Sequence, residues 1–363
     1  MPSRIESLAN NLLRENVAAY FAATPVSMGY LTGFFEDGGE RFLTLGINPR
    51  GEHALICPKL SEEQAKREGV AHTRPWTDSE NPLILFEQLA HQWELQEARI
   101  AVDNKMQAAM LLKMQQVLPK AEFIEGEPIL AELRRRKEQA ELESLRKAAR
   151  IADETFNDVF PQITAGMTEA ELADRLLQGM KQRGGEPTFS IVATGKNGAE
   201  PHHLTDDTPL QAGDVVVIDF GCSVDGYQSD ITRTVAVENV SEEAAEAYRQ
   251  VHKAHMAGRQ RIAAGVSAES VDQATRKVLN EAGLGEYFVH RTGHGIGLEG
   301  HEPPFIVQGN GQQLVAGDCF SIEPGVYLPG KFGIRIENIV MATTNGHESL
   351  NEEPSVEIMV TSR

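Results

Sequence analysis

"ITAGMTEAELADRLLQGMKQRGG" (163–185) returns further along the chain as "IAAGVSAESVDQATRKVLNEAG" (262–283), 99 residues later. Each copy reads as a loop with a glycine, a hydroxyl residue where a helix would begin (Thr168 or Ser267), a helix, and a glycine stop (Gly184 or Gly283). Hydroxyl side chains suit helix starts because they accept from an orphan backbone N–H, and glycine suits helix ends because it turns left-handed without a Cβ clash. The same offset carries His202 onto His301. A second match, "AGDVVVIDFG" (212–221) with "AGDCFSIEPG" (316–325), lies at an offset of 104 and superposes Asp219 on Glu323. Self-similarity of this kind predicts two half-domains, each helix then strands, that bring matching acids and histidines to a shared centre.

The rest of the chain frames that duplication. At 363 residues it is long enough for two domains, and 41% hydrophobic with 24% charged residues describes a globular protein. Lys and Arg total 34 against 53 Asp and Glu, a formal charge of -19, which argues against a nucleic-acid or anionic-membrane partner and favours cations. Arg4, Glu6, Arg14 and Glu15 interrupt the N-terminal apolar pattern as a signal peptide would not. No apolar run approaches a membrane span. Cys57, Cys222 and Cys319 are widely spaced and form no C-x-x-C pair, as expected of free thiols in a reducing compartment. A cytoplasmic protein is expected.

Residues 1–130 alternate short β-like runs ("RFLTLGI", "HALICP", "RIAVD") with helical ones and predict a small α/β domain. From 131 to 363 the pattern changes: a long helix carries Leu142, Leu145, Ala148, Ala152, Phe156 and Val159 on one stripe. The basic run at 134–137 marks a hinge, its charges reading as a solvated helix start.

Polar residues stand in this second domain where core strands should exclude them. Asp219 follows the apolar run Val215 to Ile218, and Asp230 heads the next strand-like run eleven residues later. Glu323 in "SIEPGVYL" and Glu337 in "GIRIENIVM" form the matching pair of the second half. Side by side, such carboxylates would repel unless metal lay between them. "FVHRTGHGIGLEGHEPP" (288–304) is too rich in glycine and proline for a helix interior, and aims histidines at a fixed target. His294 adds an imidazole to the four carboxylates. The set is oxygen-rich and its four negative charges would neutralise two divalent ions, which favours manganese, iron or cobalt over a structural zinc. In "PHHL" either His202 or His203 could point inward; the repeat selects His202.

"HRTGHGIGLEGHE", "VVIDFG" with an aspartate eleven residues on, "SIEPGVY" and "GIRIEN" resemble the pita-bread metallopeptidases, specifically the Xaa-Pro branch of prolidase and aminopeptidase P. "MGYLTGF" (28–34) resembles the creatinase-like N-terminal domain of that branch, so the likeness spans nearly the whole chain. The resemblance implies an α/β (α+β) architecture in which that domain precedes a pseudo-symmetric pita-bread catalytic domain. It implies Asp219, Asp230, His294, Glu323 and Glu337 as ligands of two divalent ions per chain, with Asp230 and Glu337 bridging them. Manganese is the expected metal, with cobalt, zinc or iron as alternatives. A water held between the ions as hydroxide would attack the bond before proline in an Xaa-Pro dipeptide, and Glu323 would shuttle the proton. His202 and His301 would touch substrate, with His290 and Tyr327 as weaker pocket positions and Arg335 behind the bridging glutamate. A homodimer is implied.

Familiar prolidases carry an arginine near "HEPPF", where it receives the dipeptide carboxylate; here that place is Phe305. Either longer peptides are the substrate, as for aminopeptidase P, or another cation serves. Arg41, in the Gly-rich "GFFEDGGERF" (33–42), is a candidate if that loop closes on the pocket, although the loop also reads as a solvated hairpin tip. A metal-free peptide-binding relative is the third reading, opposed by the presence of all five ligands.

Overall fold

A computed structural model describes residues 3–362. The chain forms two compact units, 1–134 and 135–363. In the first, six strands lie in the order Thr73–Trp76, His53–Pro58, Thr44–Ile47, Ala19–Ala22, Arg99–Val102 and Glu122–Glu125. The sheet is mixed: Ala19–Ala22 runs antiparallel to one neighbour and parallel to the other. Phe21, Phe86, Leu89, Ile100 and Met114 are buried together where helices cover it. In this unit Arg41 lays its guanidinium on the Asp78 carboxylate, with nitrogen–oxygen distances of 3.1 and 3.3 Å.

The second unit carries the duplication into three dimensions. Helices Glu169–Gln182 and Ala268–Glu281 start on Thr168 and Ser267, whose side chains accept from the N–H groups of Glu171 and Ser270. Gly166 and Gly265, two residues before those caps, both hold left-handed φ values, +87° and +85°, which an L side chain rarely adopts. Inside the helices Leu172, Leu176 and Met180 are fully buried, and so are their counterparts Val271, Thr275 and Leu279. Burying each of the large aliphatic members contributes about 1.5–3 kcal/mol. A polar residue at one such site would break the seam.

Each of these helices packs on a sheet. The first joins Val215–Val224, Ile231–Ala236 and Glu186–Thr194, and the second joins Gly293–Gly295, Glu302–Ile306, Cys319–Ile322 and Asn338–Thr343. A bridge between Thr232 and Glu337 ties one half to the other at their shared centre.

The basic run at the boundary differs from expectation. Arg134 and Arg135 are buried, and only Arg136 of the four is exposed. Arg135 forks onto Asp318 at 2.8 and 2.6 Å, and Lys137 reaches Glu302 at 2.7 Å with its side chain 2% exposed. Charge alone suggested solvent, but Arg135 and Lys137 each have an acid to satisfy them. All three cysteines are free and buried. Among the described residues no helix is long and apolar enough to cross a membrane.

Candidate metal centre

Strand pairing assembles the acids. Asp219, on Val215–Val224, lies opposite Thr232 on the antiparallel Ile231–Ala236, and Thr232 in turn bridges Glu337. Asp230 is two residues before Thr232, so it projects from the same face of the chain. Glu323 follows Cys319–Ile322 and is held there by its N–H, which donates to the Thr292 carbonyl at 2.8 Å. His294 sits in the short strand Gly293–Gly295. Glycine is required on both sides of it: a Cβ on Gly293 would lie 1.8 Å from the Ser321 carbonyl oxygen, and one on Gly295 2.4 Å from that of Glu302.

The structure brings all five residues to one place. One ligand atom each from Asp219, Asp230 and Glu337 lie within 4.8 Å of one another, and the same holds for His294, Glu323 and Glu337, and for Asp230, His294 and His301. Asp230 and Glu337 each belong to two of these groups. Burial, and then the charges of Glu337, Asp219 and Glu323, hold the Asp230 carboxyl far above the usual range. Burial with Glu323 and Asp219 does the same to Glu337.

Two observations show that these residues fit a cation. Asp219 Oδ1 and Glu337 Oε1 are buried and lack any hydrogen-bond partner, which is costly for a carboxylate oxygen unless an ion satisfies it. His294 Nδ1 lies 3.2 Å from the Gly295 carbonyl, an acceptor, so Nδ1 carries the proton of the neutral ring. Its Nε2 lone pair then faces Glu323 Oε1 at 3.2 Å and Asp230 Oδ2 at 3.8 Å, acceptor against acceptor. A cation or a proton must lie between them.

Around this cluster the other expected residues take distinct positions. His203, not His202, turns onto the buried Glu169 at 2.8 Å, leaving His202 exposed. Glu169 also accepts from the Thr194 N–H, Asn197 Nδ2 and the Asp206 N–H, and so latches the loop that carries His202. This is why Glu169, His203 and Asp206, although close enough to suggest a metal group, already satisfy one another. The His301 ring lies tilted against His294, with ring centres 3.8 Å apart, and its Nδ1 accepts from Arg291 at 3.0 Å. Partial desolvation, and then His294 and Arg291, push its pKa down to about 4. His301 is therefore a neutral ring whose Nε2–H is left as a donor.

His290 donates from Nδ1 to the Arg291 carbonyl at 2.8 Å, so its Nε2 accepts from the Tyr327 hydroxyl, also at 2.8 Å. Arg335 donates to the same hydroxyl oxygen at 2.7 Å. Burial raises Tyr327 to about 12, so the hydroxyl keeps its proton. Arg335 does not lie on Glu337 as expected. It grips Asp219 at 2.6 Å and reaches Glu337 only through Thr232, to which it donates at 3.1 Å and which donates to Glu337 Oε2 at 2.7 Å.

Sequence reasoning missed Thr232, Ser321 and Arg291. Ser321 Oγ donates to Glu323 Oε1 at 3.1 Å and accepts from the His294 N–H at 3.0 Å. Two-residue alternation would have found the first two, since Thr232 follows Asp230 and Ser321 precedes Glu323 by one strand period.

A model of metallopeptidase family M24 matches residues 143–344, and one of the creatinase/prolidase N-terminal domain matches residues 4–136. The dipeptidase PepE of Mycobacterium ulcerans superposes with a TM-score of 0.94 at 37% identity, over 99% of this chain and 97% of that one. A prolidase from Thermococcus sibiricus gives 0.92 at 35%, covering 98% of each chain. An X-Pro aminopeptidase from Thermotoga maritima gives 0.85 at 31%, over 99% of this chain and 100% of that one. The chain belongs to metallopeptidase family M24, and is a metallopeptidase in which a creatinase-like N-terminal domain precedes a pita-bread catalytic domain.

Proposed function

We propose that this protein hydrolyses the Xaa-Pro bond of dipeptides. The observation that carries the reading is the group of four carboxylates and one imidazole, in which two carboxylate oxygens are buried and unpartnered. Two divalent ions, manganese by the oxygen-rich donors, would be held by Asp219, Asp230, His294, Glu323 and Glu337, with Asp230 and Glu337 shared. When bound, such a pair supplies an acidified water and a Lewis acid for the scissile carbonyl. Glu323 takes the proton from the attacking water and delivers it to the proline nitrogen as that bond breaks. Ser321 steadies it through the 3.1 Å hydrogen bond. His301 presents Nε2–H, and His202 an imidazole from the other half, to the oxygen and backbone of the substrate at the reacting bond. The similarity to a protein titled dipeptidase and another titled prolidase supports the dipeptide and the proline.

Replacing His202 or His301 by alanine is expected to lower kcat/KM by roughly 10²–10³-fold, the usual loss of an oxyanion donor, with metal content intact. Loss of an ion in either variant would make that histidine a ligand instead. The proposal as a whole is tested by comparing kcat/KM for Xaa-Pro and Xaa-Pro-Yaa on the metal-loaded protein. The dipeptide should be the better substrate; faster release from the tripeptide would favour the aminopeptidase P reading, to which the similarity to an X-Pro aminopeptidase gives support.

A further inference from the structure

A dipeptide differs from every longer peptide in carrying its carboxylate directly on the residue after the scissile bond. One residue of extension moves that charge by about 3.5 Å. Selecting dipeptides therefore calls for a cation close to the groups that meet the scissile bond. Arg41 has its fork occupied by Asp78. Arg335 is buried, with its nitrogens on Asp219, Tyr327 and Thr232. Arg276 is engaged with Asp272 and with the carbonyls of Phe288 and His290.

Arg291 is placed differently. It stands three residues before His294, and its guanidinium carbon lies 4.6 Å from the centre of the Phe305 ring. One nitrogen donates to His301 Nδ1 at 3.0 Å, and no carboxylate of the described residues lies within ion-pair distance of it. The charge that compensates it is Glu323, felt across the site. A guanidinium has five N–H donors, so most remain for a ligand, and its planar edge matches a carboxylate with two parallel bonds. The Phe305 face holds the group in position, which lowers the entropy lost on binding.

We propose that Arg291 binds the C-terminal carboxylate of the substrate beside His301, with Phe305 as its platform, and thereby sets the preference for dipeptides. The inference rests on the reading that this site cleaves Xaa-Pro dipeptides. The substrate proline would then be held between the metal centre and Arg291, and a C-terminal amide or a further residue would forfeit the charge pairing.

The test measures kcat/KM for an Xaa-Pro dipeptide and for its C-terminal amide, using metal-loaded unmodified protein, Arg291→Ala, Arg291→Lys and Arg41→Ala. The unmodified protein should prefer the acid. Arg291→Ala should reduce that preference by about tenfold to a hundredfold, the worth of a hydrogen bond to a charged group, chiefly through KM. Arg291→Lys should recover part of it. Should the alanine variant misfold, Arg291→Gln removes the charge with less change in volume and is read the same way. Equal losses on both substrates would mean that Arg291 acts only through His301, and would overturn the proposal. So would loss of the preference in Arg41→Ala with retention in Arg291→Ala. Unmodified protein that cleaves neither compound would sink the dipeptidase reading itself, before any variant is compared.

Discussion

Alanine at Asp230 or at Glu337 is expected to reduce hydrolysis to background and to remove most of the bound metal. Each carboxylate lies in two of the groups that could hold an ion, so its loss disturbs both positions at once, whereas Asp219 and Glu323 each belong to one. The four negative charges that balance two divalent ions would also fall to three. Stability should move the other way. In metal-free protein Asp230 is buried against Glu337, Asp219 and Glu323, which drives its carboxyl well above the usual range. Asp230→Asn removes that repulsion at nearly constant volume, so the metal-free variant should melt no lower than metal-free parent. Added metal should then raise its Tm less than it raises the parent's. Elemental analysis showing undiminished metal in Asp230→Ala or Glu337→Ala would contradict the assignment.

Glu323→Gln should produce a folded protein with nearly all turnover lost. Glutamine keeps the length and an acceptor oxygen for Ser321, whose hydroxyl donates to this side chain at 3.1 Å. It cannot carry a proton from water to the leaving nitrogen. A general acid–base group contributes about 10²–10⁴-fold, and kcat should fall by at least that much, since a ligand oxygen is weakened as well. Near-normal kcat in this variant would remove Glu323 from the role.

Much of this architecture is written in the repeat. The 99-residue offset predicted paired helices, and Leu172 with Val271, Leu176 with Thr275 and Met180 with Leu279 occupy equivalent buried positions. The acids were visible because each stands within or directly beside an apolar run that the fold buries. What stayed hidden depends on register and on long-range pairing. Arg291 reads as an ordinary basic loop residue. It meets His301 and Phe305 only because Gly293–Gly295 pairs antiparallel with Glu302–Ile306, His294 opposite Phe305, with a shift between His294 and Gly295. Nothing local encodes that shift. The resemblance set Arg335 behind Glu337, yet the arginine is long enough to reach Asp219 on the other half, and it touches Glu337 only through Thr232. The boundary cations looked solvated because their acids, Asp318 and Glu302, lie more than 160 residues away.

The most direct test is a metal titration of turnover. Metal-free protein is given increasing manganese while hydrolysis of an Xaa-Pro dipeptide is followed and bound metal is counted. Activity should be absent at the start and reach its plateau as a second ion per chain binds. Full activity in rigorously metal-free protein, or saturation with two ions and no cleavage of the dipeptide, would contradict the account.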